Sequence, residues 1–129
     1  MEPSSLNMKL AFLRAQLAGD ERTARRVKSI WRQVGDTGVI IASDGKRAEE
    51  CANGNWAGIA EHIVRHDPEQ VLSVVKAKRR TLERHAQCGT GRGHCDDGGH
   101  AHADGGCPDL DDLLLAYADR LGFEDEWRP

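Results

Sequence analysis

The sequence predicts a mostly α α+β fold: about four helices, one small β-hairpin, and a Gly/His/Cys-rich loop clamped by zinc. Three observations carry this. Apolar residues recur at steps of three and four through most of the chain. A short β-branched run, Thr37-Gly-Val-Ile-Ile-Ala42, is followed by the turn signal Ser43-Asp44-Gly45-Lys46. The stretch from His85 to Cys107 holds three of the 4 cysteines, four of the 6 histidines and seven of the 14 glycines. Its only other apolar side chains are Ala86, Ala101 and Ala103. Ordering each residue of such a segment costs roughly 1–2 kcal/mol of backbone entropy. Burial of hydrocarbon cannot offset that cost here, so a cross-link must do so if the segment is ordered.

Length and composition set the frame. A chain of 129 residues with 39% hydrophobic and 30% charged residues has the size of a single domain with a modest core. The net charge of −3 gives no bulk attraction to nucleic acid, but the charge is unevenly placed. Arg22, Arg25, Arg26, Lys28 and Arg32 fall together with no acid among them. Lys76, Lys78, Arg79, Arg80 and Arg84 oppose only Glu83, and the acids gather from Asp96 onward. The start, MEPSSLNMKLAFL, does not read as a signal peptide, and no apolar stretch approaches the roughly 18 residues of a membrane span. A cytoplasmic protein is expected, without membrane contact. In that compartment thiols stay reduced, and clustered Cys with His points to metal before disulfide.

Taken in order, Leu6, Leu10, Leu13 and Leu17, then Ala24, Val27, Trp31 and Val34, form one apolar stripe. It predicts a long helix over residues 5–33, bent or interrupted at Gly19-Asp20. The hairpin is expected over 37–51. Its second strand is the weaker, because Ala48, Glu49 and Glu50 are poor strand formers. A hairpin alone is marginal in water and must lie against helices. Two helices follow over 55–84. Asn55 is the expected N-cap of the first, and Trp56, Ile59, Ala60, Ile63 and Val64 its apolar face. Asp67 caps the second, with Pro68 at the first helical position and Gln70 completing a capping-box pattern. Beyond the 85–107 loop, a C-terminal helix and tail fill 108–129. Pro108 starts the helix, Asp109, Asp111 and Asp112 suit its dipole, and Gly122 stops it. Trp127 is expected to fold back onto the core, with a partner-facing anchor as the alternative.

The site residues follow from chemistry and spacing. His85 and Cys88 lie three apart at the end of a helix, Cys95 is in the loop, and Cys107 stands just before the next helix. A tetrahedral Cys/His set of this kind suits structural zinc. His94, His100 and His102 are rival ligands, as are His62 and His66, which share a helix face four residues apart. Glu61 precedes His62 and therefore lies on another face, so the His-Glu-x-x-His arrangement of zinc proteases is absent. Gly89-Thr-Gly-Arg-Gly93 lacks the strand and the Gly-Lys-Ser/Thr of a phosphate loop. Cys51 is isolated and reads as a small buried residue. The basic runs read first as solvated helix faces. Arg22, Arg25, Arg26, Lys76, Arg79 and Arg80 would be the contacts if the protein bound nucleic acid.

Three stretches carry a resemblance. They are the opening helix with Ala11-Phe-Leu-Arg14; His62-Ile-Val-Arg-His-Asp-Pro68 leading to Val75-Lys-Ala-Lys-Arg-Arg80; and the ending Cys107-Pro-Asp-Leu110 with Ala116-Tyr-Ala-Asp119 and Trp127-Arg-Pro129. Together they resemble an uncharacterised domain-of-unknown-function family of high-GC Gram-positive bacteria and their phages. The resemblance implies a small phage or prophage protein and brings no activity with it. Members of that family carry a compact Cys-x2-Cys before the Cys-Pro; here the pair is stretched to Cys88-x6-Cys95. The function expected is therefore a non-catalytic, zinc-stabilised interaction protein acting on an unknown protein partner. A nucleic-acid-binding regulator is the alternative. A metal-dependent hydrolase would need an open coordination position.

Overall fold

The computed structural model describes residues 4–88 and 106–128. The element order is α1 (Ser5–Arg26), β1 (Ile30–Gln33), β2 (Val39–Ser43), β3 (Ala48–Asn53), α2 (Ala57–Val64), α3 (Pro68–Arg84) and α4 (Pro108–Leu115), followed by a short 3-10 turn at Asp125–Trp127. The fold class is the one the sequence predicts, with the hairpin enlarged to a three-stranded antiparallel sheet in the order β1-β2-β3. The described residues fall into two compact units. One comprises those up to Ala18 with those from Lys76 onward; the other is Gly19–Val75.

In the first unit, Ser4 begins α1 by accepting the Asn7 N–H on its hydroxyl at 3.0 Å. Leu6, Leu10, Leu13 and Leu17 are buried along this part of α1, as are Leu82 of α3 and Leu110 and Leu114 of α4. Burial of each such side chain contributes about 1.5–3 kcal/mol. Polar contacts fix the helices alongside each other: Lys9 to Asp111 at 2.7 Å and Arg14 to Glu83 at 3.0 Å. Trp127 folds back as expected and is buried. It meets Phe12 and Phe123 edge-on at centroid distances of 5.4 and 5.5 Å.

In the second unit, α1 continues without a break past Gly19 and Asp20 but stops at Arg26, short of the expected end near Gln33. The Val27 N–H closes a tight turn on Ala24 O, and the Ser29 hydroxyl takes Val27 O. Residues 30–33 then form β1, which pairs with β2 in the register Ile30↔Ser43, Trp31↔Ala42, Arg32↔Ile41, Gln33↔Ile40. The three-four stripe through Trp31 and Val34 is thus not a helical face: Val27 and Val34 are exposed. The reason is a long-range partner. Asp67 caps α3 by accepting the Gln70 N–H at 2.9 Å, and its second oxygen accepts the Trp31 N–H of β1 at 3.2 Å. One buried carboxylate satisfies both a helix terminus and a strand edge.

The Asp44-Gly45 turn forms as the sequence predicts. Gly45 adopts φ +93°, and Asp44 accepts the N–H groups of Lys46 and Arg47, both at 2.9 Å. Those bonds hold the Asp44 carboxyl below the usual aspartate range. Gln33 reaches across to Thr37 O and Ala57 O at 2.6 and 2.9 Å, binding β1 to the start of α2. Gln33 pairs with Ile40, so α2 covers the sheet face that holds the fully buried Ile40. Asn55 does not cap α2 with its side chain. It takes the left-handed conformation, φ +67°, and Trp56 is the N-cap. Cys51 lies exposed on β3, not buried, because every residue of that edge strand faces solvent.

Candidate metal centre

The centre is built where α3 ends. After Arg84, the His85 N–H bonds Leu82 O at 3.1 Å, and the Cys88 N–H bonds His85 O at 3.0 Å. This turn brings the Cys88 thiol back beside the His85 ring. Cys107 arrives from the other side as the N-cap residue of α4, with Pro108 in the first turn. Both chain ends are fixed by helices whose apolar faces are buried, so the ligands inherit their positions from the core.

His85, Cys88 and Cys107 are all buried, and their ligand atoms lie within 4.8 Å of one another. Each sulfur sits 3.6 Å from the same atom, His85 Nδ1. The other ring nitrogen, Nε2, lies 3.3 Å from a carboxylate oxygen of Asp109. Nε2–H donating to Asp109 leaves the single Nδ1 lone pair facing both sulfurs. It suits a shared point between the three atoms, and the outer carboxylate on the second nitrogen is the usual partner of a metal-ligating histidine. The group could hold a metal ion.

Of the sequence candidates, the structure therefore brings together His85, Cys88 and Cys107. Cys95 and the rivals His94, His100 and His102 lie outside the described residues, as does the Gly89–Gly93 run. His62 and His66 belong to the other unit. They are exposed, their rings are 4.5 Å apart, and His66 Nδ1 lies 2.8 Å from His62 O. By sequence Asp109 is a helix-dipole partner, and the structure adds its contact with His85. Its position two residues after Cys107, in the first turn of α4, was the available signal for a second role. The six basic candidates divide between the units. Arg22 and Arg26 are exposed in the second unit, where Arg25 pairs with Glu21 at 3.3 Å. Lys76 and Arg80 are exposed and Arg79 half-buried in the first.

Fold and site together define a small α+β protein with a buried His/Cys ligand cluster between two helix ends. The chain belongs to a family of unknown function, DUF6221, whose match spans residues 8–129. No curated protein and no solved structure matches it.

Proposed function

We propose that the protein is a non-catalytic interaction protein whose fold is stabilised by one structural zinc ion bound through His85, Cys88 and Cys107, with Cys95 as the fourth ligand. The observation that carries this is the pair of 3.6 Å separations between His85 Nδ1 and the two sulfurs. With Zn–S near 2.3 Å and Zn–N near 2.0–2.1 Å, a tetrahedral site separates sulfur from nitrogen by about 3.6 Å. Thiolate and imidazole donors select zinc over hard cations such as magnesium or calcium. Burial of all three ligands suits a closed site that ties α3 to α4, whereas a catalytic ion keeps one position open. Thiolate ligands also require a reducing setting, consistent with a cytoplasmic protein of the phage or prophage type.

For interaction, the supporting feature is Trp56, 71% exposed at the start of α2, with Ile59 also exposed one turn on. Exposed tryptophans of this kind act as anchors in protein interfaces. Exposure of Arg22, Arg26, Lys76 and Arg80 favours nucleic acid as a second partner class. That reading requires DNA binding that weakens steeply with salt.

Cobalt substitution tests the metal. Titrating Co2+ into the chelated protein is expected to give a one-to-one complex with thiolate charge-transfer bands and the strong visible absorption of tetrahedral cobalt. Cys107→Ser is expected to weaken or abolish those bands. A spectrum without thiolate bands, or one unchanged in Cys107→Ser, contradicts the assignment.

A further inference from the structure

A second pair of ligating side chains stands apart from the His85, Cys88 and Cys107 cluster. His62 lies in α2 and His66 just beyond its end, both exposed and both in the Gly19–Val75 unit. A step of four residues puts two side chains on one face of a helix. The backbone keeps turning past the end of α2, because the Arg65 N–H bonds Glu61 O at 3.1 Å and the His66 N–H bonds Ile63 O at 3.0 Å. The two imidazole rings end 4.5 Å apart between centroids, inclined at 41°.

Hydrogen bonding decides which nitrogen of His66 is available. Its Nδ1 lies 2.8 Å from His62 O, a carbonyl that only accepts, so Nδ1 carries the proton and the lone pair is on Nε2. A ring N–H held by a backbone carbonyl is one of the arrangements that orient metal-ligating histidines. The Arg65 guanidinium, which would repel a metal ion, is paired with Glu61 at 2.9 Å. Over residues 61–67 two acids, Glu61 and Asp67, stand against that one base, a balance that favours a cation.

The ring separation selects a coordination angle. An imidazole nitrogen sits about 2.0–2.1 Å from a bound ion, and the ring centre about 1.15 Å further along the same line. Two rings at neighbouring corners of a square or octahedral ion then have centres about 4.5 Å apart, against about 5.2 Å for a tetrahedral angle. The observed 4.5 Å matches the right-angled case. We propose that His62 and His66 form a second metal site, open to solvent, for a late divalent transition metal of tetragonal or octahedral preference such as Ni2+ or Cu2+. The two nitrogens supply adjacent positions and water the rest. The site shares no residue with the His85, Cys88 and Cys107 cluster and stands or falls separately from it.

The test is titration of Ni2+ into the uniformly 15N-labelled full chain, preloaded with one equivalent of Zn2+ under reducing conditions, followed by two-dimensional NMR. Paramagnetic nickel broadens amides close to where it binds, so the readout separates this site from any other. Saturable broadening is expected at the amides of residues 58–68. His62→Ala removes an exposed ring, and His66→Gln keeps a side-chain N–H donor for His62 O while removing the Nε2 lone pair. Each variant is expected to keep the dispersed spectrum and to raise the nickel concentration that half-broadens residues 58–68 at least about tenfold, because a single imidazole forfeits the chelate. Amides of 58–68 that stay sharp while nickel is in excess overturn the proposal. So does broadening there that either variant leaves undiminished, which would assign His66 to capping the helix end alone.

Discussion

The two units hold themselves together by different means. The unit containing the candidate metal centre buries Leu6, Leu10, Leu13, Leu17, Leu82, Leu110 and Leu114, together with Phe12, Tyr117 and Trp127. The Gly19–Val75 unit buries Ala24, Ile40, Ala60 and Val75, of which only Ile40 and Val75 are of any size. Its cohesion comes instead from the β ladder and from polar staples: Asp67 on Trp31 and Gln70, and Gln33 on Thr37 and Ala57. Close backbone approach adds to this. A Cβ on the buried Gly38 would fall 2.7 Å from both Asn53 Oδ1 and the Asn55 nitrogen, so only glycine fits there. Where hydrocarbon is scarce the chain places single polar side chains at critical points, and losing one such contact should matter more than its size suggests. The His85, Cys88 and Cys107 cluster, which could hold a metal ion, lies inside the richer unit between the end of α3 and the start of α4.

The largest effect that would break this contrast is in the leucine core. Leu114→Ala removes a fully buried side chain and is expected to cost about 2–5 kcal/mol, read by urea unfolding. A loss below about 1 kcal/mol would mean that the core of this unit is not what holds it. Next comes Asp67→Ala. It deprives the Gln70 and Trp31 N–H groups of their acceptor, and the expected loss is about 2–3 kcal/mol, well above an ordinary cap substitution. Amide exchange should show the specific consequence: faster exchange at Trp31 along with the first turn of α3. If only the α3 amides respond, the staple between helix and strand is not real.

The smallest effect is electrostatic. The folded state holds the Asp44 carboxyl low through the Lys46 and Arg47 N–H groups. A depressed folded value stabilises the protein at pH above the unfolded carboxylate range, and that contribution disappears as pH falls through the folded value. Asp44→Asn should therefore differ from the parent near neutrality and converge with it in acid. Side-chain carboxyl NMR should find Asp44 titrating below the ordinary aspartate value. A titration at the ordinary value would remove the turn from the polar staples.

Much of this was legible in the sequence because it rests on local chemistry. Asp67-Pro68 with Gln70 specifies a helix start from three neighbouring residues, and the observed cap is the predicted one. His85 and Cys88 at a helix end, with Cys107 before Pro108, converge because two helix termini place them. The end of α1 was not legible. Trp31 and Val34 continue the helical spacing, and only the distant Asp67 and the β2 strand reveal that Ile30–Gln33 is extended. Long-range pairing of this kind leaves no periodic trace in so short a strand. Lys9 was overlooked for a related reason. It lies on the Leu6–Leu13 face by spacing, a lysine carries no local signal for burial, and the Asp111 carboxylate is what permits it. Asp109 was legible in position but not in its contact with His85, which depends on how α4 meets the turn after α3.

The central claim is that one ion joins His85, Cys88 and Cys107. Native mass spectrometry of the protein purified under reducing conditions, with and without a chelator, tests it most directly. The predicted result is a chain carrying one zinc ion, lost on chelation together with thermal stability. A chain of bare mass before any chelator, or one lighter by the two hydrogens of a disulfide, would contradict it.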